Sequence, residues 1–292
     1  MKNLILTCLT AVTLVACGTN SIQSTTEQSQ SKVSAMSNKP IIGAFLGAVL
    51  QQDTTKMKEL ANADYIQHNP FIPTGLEPFI QLLPILKQNG TTAENVRMFE
   101  DGNYVFMHNI WRNAKAFGAD TMVAFDILRL DENGKVAEHW DAMMAETPPN
   151  PSGRTLTDGT TTVSDLDKTE ANKAQVRNLF DVLIHGTPDQ AGAAVQVNFA
   201  PDYKQHNPAA ADGLKGFMAA MPTEQWVFKK QHKVLGEGNF VLSIAEGTHK
   251  GKPVAFYDLL RIEGGKIVEH WDVIQPIPTT GLANNNGMFG FR

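Results

Sequence analysis

Two stretches of the chain place a histidine two residues before an aspartate in a β-rich context: Glu138-His139-Trp140-Asp141 and Glu269-His270-Trp271-Asp272. Alternate residues of a strand share a face, so His139 should stand beside Asp141 and His270 beside Asp272, with Trp140 and Trp271 on the opposite face. Each stretch follows a second strand-like run that carries another aspartate, Phe125-Asp126-Ile127-Leu128-Arg129-Leu130 and Tyr257-Asp258-Leu259-Leu260-Arg261-Ile262. A two-residue turn at Asn133-Gly134 makes the first pair a hairpin and sets Asp126 opposite Asp141 and Arg129 opposite Glu138. In the second pair a three-residue loop, Gly264-Gly265-Lys266, sets Asp258 opposite Asp272 and Arg261 opposite Glu269; a two-residue loop would slip the register by one. Two buried carboxylates that face each other resist full ionisation, so one of them holds a proton more readily than a free aspartate. Such a pair beside an imidazole suits acid–base work. A carboxylate can take a proton from a carbon next to a carbonyl while a neutral acid or an N–H stabilises the enolate oxygen.

Other polar residues are candidates for orienting a ligand. They are Tyr65, Gln67, His68 and Asn69 in Tyr-Ile-Gln-His-Asn-Pro, and Tyr203, Gln205, His206 and Asn207 in Tyr-Lys-Gln-His-Asn-Pro, with His108 an additional one in the first half. Structural roles stand beside these. Asp126 and Asp258 can simply accept a histidine N–H, and His68 and His206 can brace the loop before proline. Arg129–Glu138 and Arg261–Glu269 read as cross-strand ion pairs, and Trp140 and Trp271 as core or interface. His-x-Asp with His68 and Asp126 could offer nitrogen and oxygen to a metal. The chain lacks a dense ligand spacing such as His-Glu-x-x-His, so a metal is not expected. A nucleophilic mechanism has little support, because there is no Gly-x-Ser-x-Gly elbow and both cysteines lie at the start.

The elements that must position these residues come in two copies. Tyr65 to Pro70 returns at Tyr203 to Pro208, Gly75-Leu76 and Phe79 return at Gly213-Leu214 and Phe217, and Gly102-Asn103 returns at Gly238-Asn239. Each copy opens with a helix at the 3.6-residue period, Ile41, Ile42, Phe45, Leu46, Val49 and Leu50 or Val176, Leu179, Phe180, Leu183 and Ile184. A short second helix leads into the Tyr-x-Gln-His-Asn-Pro segment, where proline forces an extended or turned backbone. A third helix carries Leu76, Phe79, Leu83 and Leu86, or Leu214, Phe217 and Met218. Strands then follow at 95–99, 104–111, 121–130 and 135–143, with counterparts in the second copy. Helices first and an antiparallel meander after predict an α+β domain in which a curved sheet wraps the helices around a pocket. The copies are not equivalent: His108 aligns with Ile244 and Trp111 with Gly247.

With 292 residues, 42% hydrophobic and 19% charged, the chain has room for two such domains. Its net charge of −5 and the lack of a basic cluster argue against a nucleic-acid partner. Lys2 and the apolar run 4–15 have the proportions of a signal peptide. The run ends in Leu14-Val15-Ala16-Cys17, which resembles a bacterial lipobox and implies a lipid on Cys17. Residues 1–16 are therefore read as a signal peptide and 17–37, rich in Ser, Thr and Gln, as a flexible tether. The first domain is placed at 38–145, a linker at 146–169, and the second domain with its C-terminal tail at 170–292. The implied place is the bacterial cell envelope, on the periplasmic face of the outer membrane in a Gram-negative host, with the lipid on Cys17 as the membrane contact.

Taken together, the helix-rich start, Tyr-x-Gln-His-Asn-Pro, Gly-Leu-x-x-Phe, the Asp-x-x-Arg strand and Glu-His-Trp-Asp resemble the SnoaL-like polyketide cyclase group of the NTF2-like superfamily. The nearest subgroup is the one described as SnoaL-like aldol condensation-catalysing proteins. Asn284-Asn285-Asn286-Gly287-Met288-Phe289 looks like that subgroup's ending, and Asn150-Pro151-Ser152-Gly153-Arg154-Thr155 like a variant of it after the first copy. The resemblance implies two cone-shaped α+β barrels packed through their sheets as an intramolecular pseudo-dimer, domain one against domain two. It implies chemistry without metal or cofactor, and an acid/base at Asp141 and Asp272, with the second copy nearer the family pattern. The expected function is acid–base conversion of a small carbonyl compound by aldol condensation, cyclisation or isomerisation. The alternative is a non-catalytic lipoprotein that holds a small apolar ligand.

Overall fold

The structure, a computed structural model, describes residues 37–291. The signal-like segment, Cys17 and all of the tether except Ser37 lie outside the described residues. Among the described residues no helix is long and apolar enough to cross a membrane.

The first half runs α1 (Lys39–Gln51), α2 (Thr54–Leu60), β1 (Ala61–Gln67), α3 (Leu76–Ile80), α4 (Leu83–Gln88), β2 (Thr92–Asp101), β3 (Tyr104–Arg112), β4 (Thr121–Leu130) and β5 (Val136–Ala145). The second runs α5 (Thr169–His185), α6 (Pro188–Asn198), β6 (Phe199–Gln205), α7 (Gly213–Glu224), β7 (Val227–Glu237), β8 (Phe240–His249), β9 (Lys252–Glu263) and β10 (Lys266–Pro276). Local chemistry sets the helix starts. Pro40 opens α1, where its missing N–H costs nothing. Thr187 and Gln190 form a reciprocal capping box at α6. The single third helix expected in the first half is instead two short ones. Pro84 has no N–H to offer the carbonyl of Ile80, so the helix breaks between α3 and α4.

Each half forms one five-stranded sheet, ordered β1-β5-β4-β3-β2 and β6-β10-β9-β8-β7. The sheets are mixed rather than antiparallel throughout, because the Tyr-x-Gln start of each Tyr-x-Gln-His-Asn-Pro segment is the end of a strand. β1 lies parallel to β5 and β6 parallel to β10. That pairing sets Gln67 beside His139 and Gln205 beside His270, which is how residues 72 and 65 positions apart come to share a site.

Both hairpins keep the expected facing pairs, Asp126 with Asp141 and Asp258 with Asp272, but by turns opposite to those expected. In the first, Asp131 N–H donates to Lys135 O (2.8 Å), so the loop has three residues, with Gly134 in the left-handed region at φ 73°. In the second, Glu263 pairs with Lys266 around a two-residue loop, Gly264-Gly265, with both residues left-handed. The register survives because each returning strand carries a bulge. Ala137 and Val268 are extra residues that shift the pairing by one.

One face of each sheet packs on its own helices. The other faces share a single buried cluster that includes Phe106, Phe125, Ile127 and Trp140 from the first half and Leu242, Ile244, Tyr257, Leu259 and Trp271 from the second. The contacts between the halves are reciprocal. Lys39 bonds Glu237 (2.6 Å) and Lys173 bonds Asp101 (2.6 Å), joining each half's first helix to the other half's sheet edge. The segment read as a polar linker is not free. Its residues 150–155 lie on the second half, and residues 283–287 lie on the first.

Candidate acid–base site

The wiring of the second half starts from a backbone amide. Asn207 N–H donates to Gln205 Oε1 (2.9 Å), which fixes that oxygen as the acceptor end of the amide. Gln205 Nε2 therefore donates to the Tyr203 hydroxyl (3.0 Å), leaving the Tyr203 O–H itself as a donor. His270 Nδ1 faces the same Oε1 (2.9 Å) and must carry a proton. Its Nε2 faces Asp258 Oδ1 (3.0 Å), so one more proton lies between that imidazole and that carboxyl. Asn207 Nδ2 donates to Asp272 Oδ2 (2.7 Å), while Asn207 Oδ1 accepts from Ala209 N–H (2.9 Å). Two oxygens remain: Asp258 Oδ2 and Asp272 Oδ1 are buried with no partner among the described residues. They belong to cross-strand neighbours, and a proton held by one carboxyl would satisfy that need.

The electrostatics agree. Burial, reinforced by the charge of Asp258 and opposed by His270 and Asn207, raises the Asp272 carboxyl to about 6. Burial works against charge on His270, but its bond to Asp258 and the nearby charges of Asp272 and Asp258 outweigh it and raise its pKa. Burial pushes the Tyr203 hydroxyl well above its ordinary value, with Asp272 and Asp212 adding to the rise against the Gln205 bond, so it stays a neutral donor.

These groups close one end of a cavity of about 440 Å³ in the second half. Its walls are apolar, among them Leu183, Phe199, Phe217, Met221, Phe228 and Ile274. Two lining residues, Met218 and Val227, are 58% and 49% exposed, so the cavity opens between α7 and the start of β7. Polar groups at one end of an apolar cavity fix the orientation of a ligand whose remainder needs no partner.

The first half repeats the frame. Asn69 N–H donates to Gln67 Oε1 (2.8 Å), Gln67 Nε2 to the Tyr65 hydroxyl (3.2 Å), and His139 lies between Gln67 (3.0 Å) and Asp126 (3.1 Å). Asn69 Nδ2 holds Asp141 (2.8 Å), whose carboxyl burial again raises to about 6. The space above it is about 70 Å³. Trp111 and Phe117 meet edge to face there (5.4 Å), Phe117 coming from the eight residues that join β3 to β4. In the second half the corresponding positions are Gly247 and a two-residue turn, Lys250-Gly251. A side chain at Gly247 would collide with the carbonyl of Val227, 2.0 Å from its Cβ.

Four expected ligand contacts line neither cavity; Asn69 only holds Asp141 from behind. His68 and His206 stack on Trp140 (4.6 Å) and Trp271 (4.7 Å) and bond Glu138 (2.9 Å) and Glu269 (3.1 Å), which Arg129 and Arg261 hold from the other side. Bulges and pairing turn these rings to the sheet–sheet side, and the bracing role is the one the geometry gives them. His108 faces that side too. It accepts from Arg97 (2.6 Å), and burial, with Arg97 and His206 nearby, drives its pKa well below the ordinary value. Alternation along β3 puts its neighbour Asn109 in the pocket, where Nδ2 donates to Asp126 Oδ2 (2.7 Å). Sequence reasoning passed over Asn109; counting faces from Trp111 would have found it.

One atom from each of Asp258, His270 and Asp272 lies within 4.8 Å of the others, and likewise for Asp126, His139 and Asp141. A metal would need an imidazole lone pair, and both ring nitrogens are engaged by Gln205 and Asp258 or by Gln67 and Asp126. The donor set fits shared protons better than a cation.

Residues 176–270, all within the second half, match the SnoaL-like domain family. No curated protein matches the chain. Among solved structures, TsrD from Streptomyces laurentii is similar at 17% identity, over 36% of this chain and 86% of that one, with a TM-score of 0.32. IdmH, a proposed polyketide cyclase from Streptomyces antibioticus, matches at 17% over 36% and 91%, with a TM-score of 0.31. A proposed ketosteroid isomerase from Kribbella flavida matches at 15% over 39% and 84%, with a TM-score of 0.32.

Proposed function

We propose that the second half binds a small, largely apolar carbonyl compound and moves a proton at the carbon beside the carbonyl, with Asp272 as the base. The observation that supports this most is the pairing of an open apolar cavity with two unpartnered carboxylate oxygens at its closed end. With its carboxyl near 6, Asp272 is largely ionised at neutral pH yet still basic enough to take a proton. The C–H bond breaks toward Asp272, its electrons move onto the carbonyl oxygen, and the Tyr203 O–H donates to the enolate. Return of the proton at another carbon is isomerisation; attack of the enolate on a second carbonyl is aldol condensation or, within one molecule, cyclisation. The first half, its pocket filled, supports the second as the partner of an internal pseudo-dimer. The lipobox-like Leu14-Val15-Ala16-Cys17 extends the proposal to a protein anchored to the cell envelope by lipid on Cys17; fatty-acid labelling lost in Cys17→Ser is the check.

The test is proton NMR in D₂O with a panel of β-keto and α,β-unsaturated carbonyl compounds. Exchange at the α-carbon should fall about 10²–10⁴-fold in Asp272→Asn. Undiminished exchange in the folded variant overturns the assignment. The apolar walls also favour a second reading, a protein that only holds its ligand. Thermal stabilisation by a compound that never exchanges its protons would select it.

A further inference from the structure

The segment that follows the first half lies against the second half's site from behind. Asn150 is buried, and its Nδ2 reaches the carbonyls of Gln205 (2.6 Å), Ala210 (3.0 Å) and Asn207 (3.4 Å). Its Oδ1 accepts from the N–H groups of Ser152 (2.9 Å) and Arg154 (3.0 Å), so the amide cannot turn over without losing contacts at both ends. Arg154 forms a two-pronged pair with Asp212, Nε to Oδ1 and Nη2 to Oδ2 (both 2.7 Å), and Asp212 Oδ1 in turn accepts from Gln205 N–H (3.0 Å). The peptide groups of Gln205 are thus gripped on both sides by residues of this arm or their direct partner. Gln205 and Asn207 are the two residues whose side chains set the His270 proton and hold Asp272.

The exchange is mutual. Asn284, in the tail that follows the second half, donates to the carbonyls of Asn69 (2.7 Å) and Ile72 (2.8 Å), the counterparts of Asn207 and Ala210. Asn286 reaches Gln67 O (2.9 Å) and the Thr74 hydroxyl (3.1 Å), where the second half has Gln205 and Asp212. Each half's polar frame is completed by the arm of the other.

We infer that Asn150 and Arg154 are positioning residues for the second half's acid–base site, supplied by the arm of the first half. The inference rests on the site proposed above but concerns how it is held. Neither residue lines the cavity. They act through Gln205 and Asn207, and displacement of that segment moves His270 and Asp272 relative to the ligand and to each other. Reacting groups misplaced by as little as an ångström lose rate steeply. The groups facing His270 are Asp258 on β9, Asp272 on β10 and Gln205 on β6.

The experiment is ¹⁵N NMR of histidine-labelled whole chain, with the His270 signals assigned by their loss in His270→Gln, on Asn150→Ala, Arg154→Ala and, as the matched control, Asn284→Ala. The expected result is a changed His270 tautomer pattern and titration midpoint in both arm variants and an unchanged one in the control. Proton exchange on an active carbonyl compound should fall about tenfold in the arm variants, carried by kcat rather than KM. An unchanged His270 in folded Asn150→Ala overturns the inference, and so does an equal change in Asn284→Ala. If Asn150→Ala does not fold, Arg154→Ala decides alone, since it replaces a partly exposed side chain. The NMR readout needs no substrate, so it decides the matter even where the whole panel fails to turn over, and the two proposals fail separately.

Discussion

The two halves carry the same polar frame, down to the amide that sets the tautomer, yet one frame ends a cavity of about 440 Å³ and the other a space of about 70 Å³. The differences lie outside the frame. Trp111 is replaced by Gly247, the eight-residue connection bearing Phe117 by a two-residue turn, Met107 by Ser243 and Asn109 by Ala245. The Tyr-Gln-His-Asn frame with its Asp-His-Asp cluster is therefore also a structural device. It joins a parallel edge strand to the sheet and satisfies buried polar groups whether or not a ligand can reach them. Asp141 Oδ1 is unpaired in the first half as Asp272 Oδ1 is in the second, so what distinguishes the second half is the space above the frame and its second unpaired oxygen, Asp258 Oδ2. The largest expected contrast follows. Asp272→Asn should abolish most proton exchange, whereas Asp141→Asn, the same change in the filled half, should leave it within about twofold, as remote substitutions do. Equal loss in both variants would break the comparison.

The filled pocket can be emptied. Trp111→Ala removes a buried indole that packs on Phe117 and should cost about 3–5 kcal/mol in urea unfolding, because the neighbours close the void only in part. It should also give the first half an opening for apolar ligands, so that a compound such as naphthalene stabilises the variant more than the parent chain. Full recovery of stability without ligand would mean that the pocket collapses and that the frame alone sets its shape.

The next contrast is in pH. Asp141 and Asp272 both hold carboxyls at about 6 against an ordinary 3.8. A raised acid contributes stability that is fully present below about 3.8 and is lost as pH rises through about 6. By pH 8 each buried carboxylate costs up to about 3 kcal/mol. Asparagine removes that cost, so Asp141→Asn and Asp272→Asn should each gain about 1–3 kcal/mol at pH 8 and almost nothing at pH 4. The two variants should match in stability while differing in activity. A gain equal at both pH values would show that ionisation is not the cause.

Much of this is legible in the sequence, for identifiable reasons. Strand alternation places His270 with Asp272 on one face and Trp271 on the other, and the facing aspartates give the pair at the cavity's end. Both hairpin loops differ in length from expectation, yet the facing pairs hold, since bulges at Ala137 and Val268 offset the turns. A bulge answers to the parallel strand alongside, β1 or β6, which joins from far along the chain. The same strands turn His68 and His206 toward the tryptophans. The arms read as linker and tail because polar, turn-rich composition looks alike whether it meets water or, as with Asn150, three buried carbonyls.

The finest contrast concerns one hydrogen bond. Asn109 satisfies Asp126 Oδ2 in the first half; Ala245, at the same place on β8, leaves Asp258 Oδ2 unpaired in the second. Ala245→Asn should restore the missing donor. An amide N–H on Asp258 Oδ2 leaves the shared proton to Asp272, which then holds it to higher pH. The acidic limb of the rate profile should then move up by about half a unit to one unit, with turnover at pH 6 a few-fold lower and that at pH 8 nearly unchanged. This is the scale of a single hydrogen bond, about 1 kcal/mol. The reverse change, Asn109→Ala, should leave the rate profile alone and destabilise the first half by about 1–3 kcal/mol, because Asp126 Oδ2 loses its donor. A limb that stays put in Ala245→Asn would mean that Asp258 does not share a proton with Asp272, and the base would then act without its neighbour.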